Sequence, residues 1–255
     1  MGNHNQKSAS SVEFTYLKDG LFFKSRTGFV THFFKEKSLR TLDVGNLGDG
    51  PTNVDVRKIV EKNGGEYIGL DVNKNLADDL KKDNQLVGDL HDLSQIVGAG
   101  EFDCVYMGQV IEHTWRPGKM MRECNRILRE GGYLVLDTPN PYDIVGIARI
   151  FFKKKDTIGS GTRLTYNEAA DDFDQLRRKE KQLLTQPQHK IFYSPAMLQQ
   201  LLNMHGFDVE EIAFIGKSRN FLHGALLRLF PQGSQKIGIV GRKKPLKEIF
   251  HEVSG

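Results

Sequence analysis

The chain has 255 residues, a formal net charge of +4 and a hydrophobic content of 38%, which suits one large domain or a domain with an elaboration. Its two cysteines, Cys104 and Cys124, exclude a disulfide framework and a cysteine zinc site, and both lie in apolar patterns typical of small core residues. The small positive charge does not favour a nucleic-acid substrate.

Residues 1–38 are predicted to form a disordered tail followed by a helical segment. The first residues, MGNHNQKSASS, are polar and lack an apolar signal region, which predicts a cytoplasmic location. Residues 12–38 are aromatic-rich and amphipathic, and this pattern predicts one or two helices against a sheet edge. The sequence contains no apolar run long enough for a transmembrane helix.

Strand and helix patterns alternate from residue 39 to residue 142. The predicted strands are Leu39–Gly45, Glu66–Val72, Gln85–Gly88, Phe102–Met107 and Tyr133–Asp137. The predicted helices are Val54–Lys62, Leu76–Lys82 and Gly118–Arg129. This alternation predicts an α/β domain built on a doubly wound, largely parallel sheet.

Residues 143–190 interrupt the alternation of strand and helix patterns. It begins apolar and basic and continues as a highly charged helical pattern. Insertions of this size in compact domains are commonly lids or binding elements. Alternation resumes in residues 191–255, with a helix capped by Ser194 and strands at Phe207–Ile215 and Lys236–Arg242, for seven predicted strands in all.

Polar or glycine residues follow three consecutive predicted strands. A glycine-rich turn, DVGNLGDG, begins at Asp43, and Asp71 and Asp89 end the next two strands. Glycines let backbone N–H groups approach a ligand, and a carboxylate at the end of the second strand can accept both ribose hydroxyls. Asp89 is placed to meet an adenine amino group, and Leu90 to pack on the ring. Each feature alone is typical of an ordinary turn or cap, whereas the three together predict a nucleoside site.

This set closely resembles the motifs of the class I S-adenosylmethionine-dependent methyltransferases. Asp43-Val44-Gly45 and the following glycines resemble the first motif of that family, Gly69-Leu70-Asp71 the second and Gly88-Asp89-Leu90 the third. The resemblance implies a Rossmann-like, doubly wound, seven-stranded mixed sheet with a helical lid insertion, and S-adenosyl-L-methionine as the cofactor. It divides the chain into 1–38, a cofactor-binding core at 39–142, the lid at 143–190 and the rest of the core at 191–255.

Two further segments resemble a subgroup that acts on small molecules. Glu112-His113 follows the fourth strand and Thr138-Pro139-Asn140 follows the fifth. The segment HKIFYS, which begins at His189, and the later Leu-Leu and Gly-Phe pairs match the same subgroup. One departure is Leu47, which stands where the family usually has glycine, so that Gly48 is displaced by one position.

Ten residues are predicted to bind the cofactor, from their positions and from the resemblance. They are Asp43, Gly45, Gly48, Asp71, Val72, Asp89, Leu90, Gly108, Gln109 and Glu112. No metal ion is predicted, since the acidic run Asp171, Asp172 and Asp174 fits an exposed helix surface.

The predicted chemistry is in-line transfer of a methyl group from sulfur, with oxygen as the favoured acceptor atom. Alignment supplies much of the rate, and a base is needed when the acceptor arrives as a hydroxyl. His189 and His113 are the candidate bases, because histidine titrates near neutral pH. Each has an alternative structural role, in ordering its loop or fixing the insertion. Tyr142, Arg163 and Tyr193 are predicted to line the pocket for a small-molecule or glycan- or lipid-linked acceptor.

Three other functions compete with this hypothesis. A nicotinamide dehydrogenase normally requires Gly-x-Gly-x-x-Gly, which this turn lacks. An RNA or protein methyltransferase shares the cofactor site and differs only in its acceptor. A non-catalytic binding protein with the same fold is the third alternative, and the altered glycine turn is the main argument for it.

Overall fold

The computed structural model describes residues 20–47, 54–72, 84–114, 116–153, 189, 191–218 and 221–245. The strands within these ranges are β1 (Leu21–Phe23), β2 (Arg40–Val44), β3 (Glu66–Asp71), β4 (Gln85–Val87), β5 (Phe102–Gly108), β6 (Leu128–Pro139), β7 (Phe207–Ile215) and β8 (Lys236–Lys243). The α-helices are α1 (Arg26–Phe34), α2 (Val56–Lys62), α3 (Pro117–Ile127), α4 (Ile144–Lys153), α5 (Pro195–Asn203) and α6 (Phe221–Leu229). Short 3₁₀ turns occur at Ile111–His113 and Pro231–Gly233.

The strands form one eight-stranded sheet in the order β1-β7-β8-β6-β5-β2-β3-β4. Strand β8 is antiparallel to both of its neighbours, and the other paired strands are parallel. The carboxyl ends of β2 to β6 therefore meet at one edge, which is where open α/β sheets bind their ligands. This arrangement confirms the predicted Rossmann-like mixed sheet.

Helices cover both faces of the sheet. Side chains alternate between faces along a strand, so Val105 and Met107 of β5 face one layer while Cys104 and Tyr106 face the other. The apolar sides of α3 and α5 pack on the first face, and those of α1 and α2 pack on the second. Cys104 and Cys124 are fully buried and free, which confirms their predicted place in the core.

Local sequence signals fix where three of the helices begin. Ser25 accepts a hydrogen bond from the backbone N of Gly28, Asp55 from that of Lys58, and Ser194 from that of Met197. These side-chain caps satisfy backbone donors that the first helical turn leaves unpaired. The predicted start of α5 at Ser194 is confirmed.

The structure differs from the predicted elements at three places. Residues Leu21–Phe23 were predicted as helical and instead form β1, because they pair with Ala213–Ile215 at the sheet edge, which gives the eighth strand. Strand β6 begins at Leu128, earlier than predicted, because Leu128 pairs with Phe102 before the ladder shifts register. Helix α6 was not predicted. The predicted helix Leu76–Lys82 and most of the insertion lie outside the described residues.

Helix α4 forms the first part of the insertion. Among the described residues, the structure contains no helix that is both long enough and apolar enough to cross a membrane.

Candidate cofactor and acceptor site

A cavity of about 320 Å³ opens at the carboxyl ends of β2, β3 and β4. Its lining is Val44, Gly45, Leu70, Asp71, Val72, Gly88, Asp89, Leu90, His91, Val110, His113, Thr114 and Met120. Six of the predicted site residues are in this set: Gly45, Asp71, Val72, Asp89, Leu90 and His113. The cavity therefore combines two carboxylates at strand ends with an apolar wall.

The turn after β2 connects to the end of β3. Gly45 has a φ of +70°, a left-handed conformation that glycine adopts without strain, and its backbone N donates to Leu70 O at 2.8 Å. The backbone N of Leu47 donates to Asp71 Oδ2 at 3.2 Å. The carboxylate of Asp71 thus orients the turn and also faces the cavity. Gly48 lies outside the described residues.

Asp43 does not line the cavity. It is buried, and its Oδ2 accepts a hydrogen bond from the hydroxyl of Tyr67 at 3.0 Å. Burial and then the charge of Asp43 raise the pKa of Tyr67, which keeps the phenol protonated as a donor. The described contacts give Asp43 a role in joining β2 to β3.

Asp89 is held by a histidine that sequence reasoning missed. His91 Nδ1 lies 2.6 Å from Asp89 Oδ1, and its Nε2 lies 2.6 Å from the hydroxyl oxygen of Thr114. This bridge connects the loop after β4 to the loop after β5 across the cavity. A histidine two residues after a strand-end aspartate was the available signal.

The loop after β5 turns sharply at its first residue, Gln109. Gln109 has a φ of +62°, an uncommon conformation for a residue other than glycine. Its side-chain amide donates to Asp137 Oδ1 at 2.8 Å, and its Oε1 accepts from Lys236 Nζ at 2.8 Å. Gln109 and Gly108 do not line the cavity, and the described side-chain contacts of Gln109 point to Asp137 and Lys236.

A buried polar network centres on Asp137 at the end of β6. Arg26 of α1 forms an ion pair with Asp137 Oδ1 at 2.7 Å, and the hydroxyl of Tyr106 donates to Asp137 Oδ2 at 2.7 Å. Asp137 is fully buried and the Arg26 side chain is 9% exposed. An aspartate that ends an otherwise apolar strand was the only sequence signal for this network.

Glu112 is buried beside the cavity. Its Oε2 accepts a hydrogen bond from the hydroxyl of Thr138 at 3.0 Å, and its Oε1 is buried without a hydrogen-bond partner. Burial raises the pKa of Glu112 to about 7. Glu112 O accepts a hydrogen bond from the backbone N of Ile191 at 3.3 Å, which ties the segment after the insertion to this loop.

The two predicted catalytic histidines lie together. The ring centroids of His113 and His189 are 4.8 Å apart, with the ring planes inclined at 62°. Burial, followed by the positive charges of His113 and Lys236, lowers the pKa of His189 to about 4. One ligand atom from each of Glu112, His113 and His189 lies within 4.8 Å of the others. The sequence did not predict this grouping, because His189 is distant in the chain from the consecutive Glu112 and His113.

The predicted acceptor-pocket residues divide into three cases. Tyr193 is 3% exposed, and its hydroxyl is buried without a hydrogen-bond partner. Burial and then the charge of Glu112 raise the pKa of Tyr193 to about 12, so this hydroxyl is protonated beside the same cluster. Tyr142 is 53% exposed just beyond β6, and Arg163 lies outside the described residues.

Comparisons with known proteins agree with this geometry. Residues 42–136 match the family model described as a methyltransferase domain. Residues 42–136 are therefore similar to a methyltransferase domain, in agreement with the resemblance of the strand-end motifs to the class I S-adenosylmethionine-dependent methyltransferases.

Two probable S-adenosylmethionine-dependent methyltransferases from strains of Mycobacterium tuberculosis are 50% identical to the chain over 38 residues. The match covers 15% of this chain and 14% of the length of those relatives.

Solved structures share the fold at low identity. A S-adenosylmethionine-dependent methyltransferase from Archaeoglobus fulgidus is 17% identical, with a TM-score of 0.56, over 85% of this chain and 92% of that chain. The 1,6-didemethyltoxoflavin-N1-methyltransferase of Burkholderia thailandensis, solved with bound 1,6-didemethyltoxoflavin and S-adenosylhomocysteine, is 12% identical, with a TM-score of 0.53, over 87% of this chain and 80% of that chain. These likenesses concern the fold alone.

Proposed function

We propose that the chain transfers a methyl group from S-adenosyl-L-methionine to a hydroxyl oxygen of a small-molecule or glycan- or lipid-linked acceptor. The observation that carries the proposal is the cavity at the carboxyl ends of β2 to β4, with Asp71, Asp89 and Leu90 in its wall. A carboxylate at a strand end can accept hydrogen bonds from ribose hydroxyls, and an apolar surface can pack on an adenine ring. This cavity contains both features. When bound, the cofactor supplies an activated methyl group.

The ten residues predicted to bind the cofactor have different roles in this proposal. Asp71 accepts the ribose hydroxyls and Asp89 meets the adenine edge, while Gly45, Val72 and Leu90 shape the cavity. Asp43, Gly108 and Gln109 do not line the cavity and are proposed to act by supporting the residues that do. Asp43 accepts a hydrogen bond from Tyr67, and Gln109 bonds to Asp137 and Lys236. Glu112 is proposed to hold the methionine amine, and Gly48, which lies outside the described residues, is proposed to act through the glycine-rich turn.

The acceptor side is proposed to include His113, His189, Tyr142, Arg163 and Tyr193. His113 lines the cavity and contacts His189, so the two rings connect the cavity to the carboxyl end of the insertion. In this position either ring can take the proton of an acceptor hydroxyl. The lid at residues 143–190 then determines which acceptors enter.

The test begins with cofactor binding. Calorimetry with S-adenosylmethionine, S-adenosylhomocysteine and NAD should show binding of both sulfur ligands and none of NAD. Failure to bind either sulfur ligand would overturn the proposal. Transfer of a labelled methyl group to a panel of hydroxyl, amine and RNA acceptors then separates an oxygen-directed enzyme from an RNA or protein methyltransferase, and from a binding protein.

His189→Ala tests the catalytic assignment. Turnover with an active hydroxyl acceptor should fall by about 100-fold or more, since general bases typically contribute that much. Affinity for S-adenosylhomocysteine should stay at the wild-type value, because His189 does not line the cofactor cavity. Equal loss of turnover and cofactor binding would count against this role.

A further inference from the structure

We infer that Glu112, His113 and His189 form a binding site for a divalent transition-metal ion. One carboxylate oxygen of Glu112 and one ring nitrogen of each histidine lie within 4.8 Å of one another. The inference deepens the proposed function and rests on it only for the assignment of this region to the acceptor side.

The donor set indicates the class of metal. Two imidazoles and one carboxylate, with remaining positions open, are the ligands of catalytic zinc and of non-haem iron(II) sites. Magnesium and calcium prefer oxygen ligands alone. Metal–ligand bonds of about 2.0–2.1 Å at tetrahedral angles bring ligand atoms to roughly 3.3 Å from one another. The three side chains therefore need to close by at most roughly 1.5 Å, a movement within the reach of side-chain rotation.

The state of the Glu112 carboxylate is the second, independent observation. Glu112 is 1% exposed, and its Oε1 is buried without a hydrogen-bond partner. A buried carboxylate oxygen with no donor is costly, because it loses its hydration and gains nothing in exchange. A cation between Glu112 and the two histidines would satisfy this oxygen.

The supporting contacts resemble those that orient metal ligands. The hydroxyl of Thr138 donates to Glu112 Oε2 at 3.0 Å, which fixes the carboxylate from the side of β6. The 3₁₀ turn Ile111–His113 places Glu112 and His113 on consecutive positions, and the hydrogen bond from Ile191 N to Glu112 O holds the segment next to His189 against that turn. Hydrogen bonds behind the ligands commonly set the orientation and affinity of metal sites.

The location suggests what the ion would do. His113 lines the cofactor cavity, while His189 lies at the carboxyl end of the insertion. An ion between them can bind an acceptor oxygen at an open coordination position and lower the pKa of that hydroxyl as a Lewis acid. With the ion bound, the histidines act as ligands in place of their proposed role as bases, and the hydroxyl proton passes to water because the ion lowers the pKa of the hydroxyl.

Titration of the chelator-treated full chain with Co²⁺, followed by visible absorption, tests the site directly. Wild type should bind one equivalent with the spectrum of a nitrogen- and oxygen-ligated ion, and Zn²⁺ should displace it. His189→Ala and His113→Ala should each weaken binding by about tenfold or more. His32→Gln is the matched control, because His32 is a 48% exposed helix residue that lies 3.4 Å from Glu211, outside the cluster. This control should bind as wild type does.

Two results would overturn the inference: no Co²⁺ binding by wild type, or wild-type binding in both folded cluster variants. Circular dichroism verifies that each variant is folded, and Glu112→Gln provides a further ligand variant that keeps the side-chain volume. S-adenosylhomocysteine binding is measured on the same samples. If wild type binds S-adenosylhomocysteine but no Co²⁺, the metal site is refuted and the proposed function stands. If wild type binds Co²⁺ but no S-adenosylhomocysteine, the proposed function is refuted and the metal site stands.

Discussion

The carboxyl edge of the sheet has two sides that use polar groups in opposite ways. At β3 and β4, Asp71 and Asp89 face a cavity, and the side chain of Asp89 is 63% exposed. At β6, Asp137 is fully buried and bonded to Arg26, Tyr106 and Gln109. The first side keeps carboxylates facing the cavity, whereas the carboxylate of the second side is held by buried side chains around the site. A carboxylate at a strand end is therefore not by itself a ligand-binding group, and its hydrogen-bond partners decide which role it has.

Breaking the buried side should have the largest effect on stability. Arg26→Met leaves the carboxylate of Asp137 buried without its ion-pair partner, and we expect the free energy of unfolding to fall by about 3–5 kcal/mol. Urea denaturation measures the change. The control is Arg57→Met, which removes an exposed pair with Glu61 and should cost less than about 0.5 kcal/mol. Similar losses in the two variants would contradict the importance of burial.

Breaking the open side should affect binding more than folding. Asp71→Ala removes the proposed acceptor of the ribose hydroxyls, and we expect about a 100-fold loss of S-adenosylhomocysteine affinity, or about 3 kcal/mol, in calorimetry. Asp92→Asn is a suitable control, because Asp92 accepts a hydrogen bond from Ser94 and does not line the cavity. Retention of wild-type affinity in Asp71→Ala would remove Asp71 from the cofactor site.

Gly45 and Gly100 both have a left-handed backbone conformation, but only Gly45 lines the cavity. Gly45→Ala places a methyl group in a left-handed conformation and 2.8 Å from Val110 Cγ2, so we expect a loss of about 1–3 kcal/mol in the free energy of unfolding, together with weaker cofactor binding. Gly100→Ala has the same backbone strain, with a φ of +71°, but its methyl group would meet only Arg129 Cα at 3.9 Å. Thermal denaturation should show the smaller loss in Gly100→Ala, and its cofactor affinity should be unchanged.

The smallest expected effect concerns a carboxylate far from either side of the edge. Hydrogen bonds from Arg126, and a backbone hydrogen bond from Leu93, hold the pKa of Glu123 below its usual value. A carboxyl group whose pKa is lower in the folded state stabilises the fold above its unfolded pKa, and the contribution disappears as the pH falls through the folded value. Glu123→Gln should therefore cost about 1 kcal/mol at pH 7 and progressively less below pH 4.5.

Urea denaturation at several pH values measures this dependence. Glu66→Gln is the comparison variant. The Glu66 side chain is 57% exposed in its ion pair with Arg40, so this pair should contribute little to stability at any pH. A constant loss across the acid range in Glu123→Gln would show that its ionisation does not stabilise the fold.

The open side could be predicted from the sequence, and the buried side could not. Strand ends are local patterns, so Asp71 and Asp89 were found from the alternation of apolar runs and polar residues, and both line the cavity. The hydrogen-bond and ion-pair partners on the buried side are distant in the chain. Nothing near Asp137 in the chain indicates Arg26, which comes from α1, and nothing near Gln109 indicates Lys236, which comes from β8. The pairing of His113 with His189 likewise depends on the fold and not on spacing.

Pairing at the sheet edge explains why β1 forms a strand where a helix was predicted. Leu21–Phe23 is short and aromatic, and its pattern alone does not distinguish a helix from a strand. Its three pairs with β7 decide the outcome, and these depend on a strand nearly two hundred positions later in the chain.

The antiparallel position of β8 has a consequence for how this molecule folds. Strand β8 lies between β6 and β7, which are never paired with each other, so both present open hydrogen-bonding edges until residues 236–243 arrive. Because β8 runs opposite to its neighbours, its first residue, Lys236, reaches Gln109 at the carboxyl edge as the strand enters. We therefore expect the sheet to close and the polar groups around the loop after β5 to be completed in the same step of folding. Non-local closure of this kind is slow, and it predicts that catalytic competence appears together with the last increment of sheet structure.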